Sequence, residues 1–300
     1  MTSPTRHLST GAFVTLLLVA LLFGANHVAA RFAFDAGVDV ATAVAVRSLA
    51  TAALVGALVL AARTPWTMTP RQRRAMPLIA ALVAVQSLCL YSAVARIPVG
   101  LALLAFNTYP LWTTLMVRLL YGQRPQRRVL IAMPVILAGL ALALDVSGAA
   151  AGLDAQAHWG RIGTGVALAV AAAAVFGVVL AVTQHEVAGL DGRLRTTITM
   201  GIVGLLALAG ALALGGLHWP DRASGWWGLA GLTVFYGTAF PVMFTLLPKL
   251  GVVGSSPILN VEPVAALVLA WALLGQSIAP VQWVGALLVV GAVMALGLRR

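Results

Sequence analysis

The stretch "ILNVEPVAALVLAWALLGQ" at residues 258–276 is apolar and long enough to cross a membrane, yet Asn260, Glu262 and Pro263 interrupt its first half. A helix-breaking proline beside an acid is costly in such a span. The stretch "LAFNTYPLWTTLMVRLLYGQ" at residues 104–123 carries the same Asn, Pro and final Gly-Gln at matching positions. The two stretches therefore indicate an internal repeat.

A single offset of 153 residues relates the two halves of the chain. It places Asn107 on Asn260, and asparagine is an informative marker because the chain contains only three. Apolar residues fall on apolar residues around this pair without a gap. The same offset matches Phe23-Gly24 with Phe176-Gly177, Pro110 with Pro263, and Gly122-Gln123 with Gly275-Gln276.

The composition predicts an all-α membrane protein. Of 300 residues, 61% are hydrophobic and 9% are charged, whereas soluble domains have about 25% charged residues. Apolar runs of membrane-spanning length recur along the chain and do not alternate as barrel strands do. Glycines in such spans let helices approach closely. The positions expected to do so are Gly201, Gly204, Gly210, Gly285 and Gly291.

We predict ten transmembrane helices in two five-helix repeats, at residues 8–146 and 160–298, joined by a loop at residues 147–159. Because five is odd, the second repeat enters the membrane from the opposite side, and such inverted repeats are found in secondary transporters. The spans are predicted at approximately 11–33, 38–62, 75–96, 98–120, 127–145, 161–184, 195–216, 226–247, 251–274 and 280–298.

The basic residues predict the orientation. Fourteen of the nineteen lysines and arginines fall on one side of the predicted spans and four on the other, while Arg47 lies inside the second span. By the positive-inside rule, both termini are cytoplasmic and the protein is a multi-pass protein of the cell inner (plasma) membrane. The rule also explains the net charge of +11, so we expect no nucleic-acid partner. A lone Cys89 excludes an internal disulfide.

Several stretches resemble a known family. They are "LLFGANHVAAR" at residues 21–31, "YSAVARIPVGLALLAFNTYPLWTTLM" at residues 91–116 and "QWVGALLVVGAVMALG" at residues 282–297. In them the chain resembles the EamA-type, ten-span branch of the drug/metabolite transporter superfamily, and it is similar to YddG-like aromatic amino-acid exporters. The resemblance implies efflux of aromatic and other neutral amino acids. The family often has glutamate where this chain has Gln123 and Gln276, so no carboxylate role is expected there.

Polar and aromatic side chains inside the spans are the candidates for a substrate cavity. Pockets for small amphipathic solutes combine aromatic faces with a few polar groups. For Asn26 and His27, contact with a substrate's amino or carboxylate group and hydrogen bonding between helices both remain open. The predicted cavity residues are Asn26, His27, Gln86, Asn107, Tyr109, Trp112, Phe176, Tyr236 and Asn260.

Four further residues are predicted to serve gating or structure. Pro110 and Pro263 remove helix hydrogen bonds, so we expect the fourth and ninth spans to bend and gate opposite ends of the cavity. Arg47 is expected to have a structural role, with contact to an anionic substrate as the alternative. In a regular helix Glu262 and Asn260 face nearly opposite ways, so both line one wall only if the helix is distorted.

The inverted repeat and the candidate cavity predict a secondary transporter that moves small amphipathic metabolites by alternating access through a central cavity. The resemblance implies export, above all of aromatic and neutral amino acids. The alternative is a multidrug or other small-metabolite exporter coupled to protons. The sequence contains no GxxxxGK[ST], HExxH or GxSxG motif, so neither direct ATP use nor an enzyme is expected. We expect no cofactor or metal. The expected partners are a small-molecule substrate and the bilayer, and both a monomer and a homo-oligomer remain open.

Overall fold

The computed structural model describes residues 10–123, 127–145, 147–149, 152–250, 261–276 and 279–298. These residues form α-helices joined by short loops, and no β-strand occurs within these ranges. The helices are α1 Thr10–Asp35, α2 Val40–Ala61, α3 Pro70–Arg96, α4 Val99–Phe106, α5 Tyr109–Tyr121, α6 Arg127–Ala143, α7 Ala155–Glu186, α8 Gly192–Ala213, α9 Ala223–Leu250, α10 Glu262–Leu274 and α11 Pro280–Leu298.

Length and apolarity mark several helices as membrane-spanning. Within the described residues, six segments are long and apolar enough to cross a bilayer, with α4 and α5 counted together as one. The six are Phe13–Asp35, Val40–Ala61, Pro70–Arg96, Val99–Tyr121, Ala155–Glu186 and Gly192–Ala213. Shorter apolar helices are Leu130–Ala143, Glu262–Leu274 and Pro280–Ala295. The prediction of a helical membrane protein is confirmed at this level.

The internal repeat extends to the ends of the helices. Both ends of α5 and of α10 are separated by 153 residues. Each helix is followed by a glycine in the left-handed conformation, Gly122 with φ 66° and Gly275 with φ 64°. Only glycine adopts this conformation without a steric penalty, so the two helices end in the same way for the same reason. The two-repeat architecture predicted from the asparagines is confirmed.

The most extensive packing joins helices of opposite halves. The principal pairs are α1 with α9, α3 with α7, α2 with α8 and α6 with α11. The offset relates α1 to α7 and α3 to α9, so the first two pairs are equivalent contacts. Each half thus buries its apolar faces against the other, and the core clusters combine residues from both. The space between the halves is therefore the centre of the molecule.

Two equivalent glycines allow close helix approaches around that centre. A Cβ atom added at Gly177 in α7 would lie 2.7 Å from the backbone nitrogen of Thr113 and from Cβ of Trp112 in α5. A Cβ atom at Gly24 in α1 would lie 3.0 Å from the backbone nitrogen of Ala266 in α10. Both glycines therefore let a long helix lie directly on the backbone of a short one.

Other glycines divide into packed and open positions. Gly204 lies against Leu49, and Gly285 lies against the backbone of Gly139. The expectation of close helix approach was therefore right for these two. It was wrong for the remaining three, because a Cβ atom there would meet nothing within 4 Å among the described residues. The three are Gly201, Gly210 and Gly291.

The predicted fourth span, residues 98–120, is not one continuous helix. It is broken at Asn107 and Thr108 into α4 and α5. Pro110 lies in the first turn of α5 and has no N–H to donate to the Phe106 carbonyl, so the regular hydrogen-bond pattern cannot continue. The prediction of a bent element at Pro110 thus has a concrete form, which is two helices meeting at an asparagine.

Strong N-caps start α3 and α7 well before their predicted first residues. Thr69 and Gln72 form a reciprocal capping box that starts α3 at Pro70. The side chain of Asp154 accepts from the backbone N–H of Ala157 at 2.8 Å and starts α7 at Ala155. The last residues of the loop predicted at 147–159 are therefore helical.

Candidate functional site

A cavity of about 220 Å³ lies between the two halves. The first half contributes walls from α1 to α5, and the second half contributes them from α7, α9 and α10. Aromatic rings and a few polar groups share the surface. The lining residues are Phe23, His27, Arg47, Gln86, Ser87, Leu90, Tyr91, Leu103, Phe106, Asn107, Tyr109, Phe176, Tyr236, Phe240, Glu262 and Pro263.

Arg47 is a buried cation on the wall of this cavity, with 2% of its surface exposed. Its Nη1 donates to the hydroxyl of Tyr91 at 2.8 Å, and its Nη2 donates to the hydroxyl of Ser87 at 3.3 Å. Its guanidinium carbon lies 4.0 Å from the centre of the Tyr236 ring, a cation–π contact. Its Nε has no hydrogen-bond partner among the described residues. Among the described residues, no carboxylate lies within ion-pair distance of Arg47.

Glu262 is an acid on the wall of the same cavity and the first residue of α10. The positive end of the helix dipole favours a carboxylate at this position. Its Oε1 lies 3.3 Å from Nε2 of His27, and 28% of its side chain is exposed. The helix begins at Glu262. The sequence analysis expected Glu262 and Asn260 to face opposite ways in one regular helix, but Asn260 lies outside the described residues.

Tyr91 connects these polar groups. Its hydroxyl accepts from Nδ2 of Asn26 and from Nη1 of Arg47, each at 2.8 Å. Its ring centre lies 5.4 Å from that of His27. Asn26 itself is fully buried and does not line the cavity, so it holds Tyr91 in place from behind the wall. The result is a continuous chain of contacts from Glu262 through His27 and Tyr91 to Arg47.

Two aromatic clusters flank the cavity at positions related by the repeat. Phe23 in α1 and Phe176 in α7 are 153 residues apart, and each packs with two further rings. Such edge-on and tilted contacts stabilise rings beyond simple burial. Ring centres lie at 5.4 Å for Phe176 with Phe106, 5.3 Å for Phe176 with Tyr109, 6.0 Å for Phe23 with Tyr236 and 6.4 Å for Phe23 with Phe240.

The structure brings together most of the residues predicted to form a cavity. Those that line it are His27, Gln86, Asn107, Tyr109, Phe176 and Tyr236. Asn26 lies behind the wall, and Trp112 packs against Gly177 instead. Asn260 lies outside the described residues. Among the residues predicted for gating or structure, Pro110 is not part of the lining, and those that do line the cavity are Arg47, Glu262 and Pro263.

The sequence analysis did not identify several lining residues. Phe23 had a usable signal, because it is the repeat partner of Phe176, which was predicted. Tyr91 lies near the end of its span, where a tyrosine is typical of an interfacial anchor. The lining residues not predicted are Phe23, Ser87, Leu90, Tyr91, Leu103, Phe106 and Phe240.

A polar cluster ties three helix ends together away from the cavity, and we call it the α3–α5–α7 latch. The carboxylate of Glu186 accepts from Arg71 Nη2 at 2.8 Å and from the hydroxyl of Tyr121 at 3.1 Å. The ring of His185 stacks on that of Tyr121 at 3.8 Å. Nε2 of Gln123 lies 2.9 Å from Nε2 of His185. The latch thus joins the start of α3 to the ends of α5 and α7.

The matching positions of the other half do not reproduce the latch. Gln276, the partner of Gln123, accepts from the backbone N–H of Val99 at 3.1 Å and ties α10 to α4. Both glutamines therefore serve as hydrogen-bonding groups at helix ends. The remaining latch residues Arg71, Tyr121, His185 and Glu186 correspond to Ser224, Leu274, Phe32 and Ala33.

Comparison with known proteins gives a family and a fold. The model of the EamA-like transporter family matches the chain twice, at residues 10–144 and 163–298. Fifteen chains in solved structures match. One of them, in a crystal structure of a protein, superposes with a TM-score of 0.65 at 19% sequence identity, over 97% of this chain and 100% of its own. A search of curated proteins finds no significant match.

Proposed function

Because the chain belongs to the EamA-like transporter family, we propose that it is a secondary transporter that exports small amphipathic metabolites, above all aromatic and neutral amino acids. The observation that carries the proposal is the cavity between the two halves. It is lined from both sides by aromatic rings and a small number of polar groups. A solute held there contacts both halves at once, which alternating access requires. Export, as the direction, comes from the resemblance to amino-acid exporters.

The size of the cavity favours an amino acid over a drug. Its volume is about 220 Å³, whereas pockets for drug-sized ligands usually have ~300–1,000 Å³. The aromatic clusters around Phe23 and Phe176 offer apolar faces to a side chain. The polar groups are concentrated on the chain of contacts from Glu262 to Arg47. This division suits a solute with one polar end and one apolar end.

Transport by alternating access further requires a defined membrane topology and helices that change conformation. We propose ten spans, with the second repeat inverted and both termini cytoplasmic, as the distribution of basic residues favours. In this orientation the α3–α5–α7 latch lies at the cytoplasmic end, and we propose that its contacts hold that end closed. We propose that the chain bends at the break before Pro110, and likewise around Pro263, to open and close the two ends of the cavity.

Flux through purified protein tests the proposal. Proteoliposomes loaded with radiolabelled phenylalanine should lose it down its gradient faster than protein-free liposomes, without ATP. Unlabelled phenylalanine outside should exchange with it. Binding of phenylalanine without flux would contradict transport and favour a receptor.

The alternative, an exporter coupled to protons, draws support from one contact. Glu262 and His27 lie 3.3 Å apart on the cavity wall, where a proton could be exchanged with the solute. If coupling is obligatory, collapse of an imposed pH gradient should stop uphill accumulation of phenylalanine. If flux is the same with and without a pH gradient, obligatory coupling is excluded.

A further inference from the structure

We propose that the cavity binds a zwitterion in one fixed orientation, with the solute's carboxylate at Arg47 and its ammonium group at Glu262. The inference rests on the proposed transport function and specifies the chemistry of the solute at that same site. It makes Arg47 a substrate-binding residue rather than a purely structural one.

Arg47 carries unused hydrogen-bonding capacity towards an anion. A guanidinium has five N–H donors, and those of Arg47 that are used go to the hydroxyls of Tyr91 and Ser87. Both partners are neutral, and Nε has no partner in the part of the chain that the structure describes. An arginine inside a span is costly unless it is paired. A carboxylate fits the planar fork of a guanidinium through two parallel bonds, so a solute carboxylate would satisfy both the charge and the geometry.

Glu262 offers the complementary charge. Its Oε1 faces His27 at 3.3 Å, and its other oxygen has no partner among the described residues. The side chain is 28% exposed and lines the cavity, so it remains accessible to a ligand. An ammonium group carries three donors and no acceptor, which suits an open carboxylate oxygen.

The two charges are separated, so they do not neutralise each other directly. Between them lie the rings of His27 and Tyr91, whose centres are 5.4 Å apart and whose planes are tilted, and the Tyr91 hydroxyl accepts a hydrogen bond from Arg47. The Tyr236 ring lies below the guanidinium. In the proposed binding mode, a small solute with opposite charges on neighbouring groups bridges this interval while its apolar part lies on the rings. An α-amino acid with an aromatic or aliphatic side chain has this pattern.

The same arrangement rejects ions that carry only one charge. An amine without a carboxylate leaves Arg47 buried and unpaired, and an acid without an amine leaves Glu262 unpaired. Specificity of this kind comes from the penalty on the wrong partner as much as from contacts with the right one. The charged walls therefore select against simple cationic drugs.

Three related compounds test the orientation on the unmodified protein. L-phenylalanine has both charged groups, 2-phenylethylamine lacks the carboxylate, and 3-phenylpropionate lacks the amine. Each is added as a competitor to efflux of labelled phenylalanine from proteoliposomes. Loss of one hydrogen bond to a charged group should weaken competition about ten- to a hundredfold. Equal competition by all three would overturn the inference.

Two charge-removing variants then assign each end. Arg47→Gln should abolish the advantage of phenylalanine over 2-phenylethylamine, because the unpaired cation is gone. Glu262→Gln should abolish its advantage over 3-phenylpropionate. Arg47→Lys should keep part of the first advantage. Arg193→Gln is the matched control, since Arg193 lies at the start of α8 beside Asp191 and away from the cavity, and it should keep the wild-type ranking.

The outcomes separate this inference from the proposed function. If the wild type moves phenylalanine but the folded Arg47→Gln and Glu262→Gln proteins keep its ranking, the zwitterion site is wrong and the transport proposal stands. If the wild type moves neither phenylalanine nor its analogues, the proposed function itself fails. Folding is checked by size-exclusion chromatography, and if both variants aggregate, the wild-type ranking alone decides.

Discussion

Gly177 shows how a single missing methyl group shapes the centre of the molecule. Its hydrogen lets α7 lie on the backbone of α5 at Thr113, and Gly24 does the same for α1 on α10. Sequence reasoning marked both glycines as repeat anchors but did not identify the helix that each one contacts. A glycine's contacts depend on how helices are rotated about their axes, and periodicity in a uniformly apolar span contains little information on rotation.

We predict that Gly177→Ala destabilises the protein by about 1–3 kcal/mol, the usual effect of overpacking. The added Cβ would lie 2.7 Å from backbone atoms of α5, and backbone cannot move aside as a flexible side chain does. Thermal unfolding in detergent, with and without the substitution, measures the effect.

Gly201→Ala is the control for this experiment. A Cβ atom at Gly201 in α8 meets nothing within 4 Å, and alanine is favoured over glycine in a helix by about 0.5–1 kcal/mol. Its unfolding temperature should therefore stay the same or rise. Equal loss of stability in both variants would show that the close approach at Gly177 has no special importance.

Side chains at the site were partly predictable. Asn107, Tyr109 and Phe176 were identified because a polar or aromatic residue near the middle of a span needs a reason. Trp112 fitted the same rule but packs on Gly177 instead. Tyr91 was not predicted as a lining residue, because no neighbouring residue in the sequence indicates that its hydroxyl accepts a hydrogen bond from the distant Arg47. Contacts between helices are the information that one sequence alone lacks.

At the level of secondary-structure elements, the break between α4 and α5 is the difference from the predicted spans with the clearest consequence for function. Hydropathy is unbroken from Val99 to Tyr121, so composition indicates one span. Pro110 is the local cause, and the sequence did signal a bend there. The proposed gating uses this break, because two helices that meet at Asn107 can bend against each other without either helix unfolding. The same start recurs at α10, with Pro263 in its first turn.

We predict that Pro110→Ala slows transport severalfold while the protein stays folded. Alanine supplies the N–H that proline lacks, so the Phe106 carbonyl gains a partner and the continuous helix becomes more favourable. The initial rate of phenylalanine efflux from proteoliposomes is the readout, and Pro263→Ala should act in the same direction.

Pro134→Ala provides the comparison for the proline variants. Pro134 lies inside α6 with an exposed side chain and without a helix break, so its replacement should leave the efflux rate unchanged. If Pro110→Ala and Pro263→Ala both export at the wild-type rate, bending at these prolines is not part of the transport cycle.

Helix ends were predictable where capping residues mark them. Gly122 and Gly275 stop α5 and α10, and the sequence showed both. Thr69 and Asp154 start α3 and α7 earlier than hydropathy alone indicated. Hydropathy reports the apolar length of a helix, whereas capping side chains report its hydrogen-bonded length. The apolar length and the hydrogen-bonded length differ wherever a helix extends beyond the hydrocarbon core of the bilayer.

At the scale of the whole molecule, the two halves pack as equivalent partners, and five spans in each would place the connection between them outside the cell. We predict that Ser147→Cys, made in a Cys89→Ala background, reacts with a membrane-impermeant maleimide added to intact cells. Thr67→Cys, between α2 and α3, should react only after the membrane is permeabilised. Reaction of both positions from outside would contradict the inverted arrangement.

The α3–α5–α7 latch has a consequence for kinetics, because only one end of the molecule has it. Two conformations related by the repeat would have equal free energy if the halves were identical. In the proposed cycle, the contacts of Arg71, Tyr121 and Glu186 would stabilise the conformation in which their own end is closed. The two conformations of the substrate-free protein are then unequally populated. Without an energy source, detailed balance requires the same ratio of maximal rate to half-saturation concentration on the two faces, so the asymmetry changes both quantities together. The protein would therefore show different apparent affinities on its two sides, while still transporting in both directions.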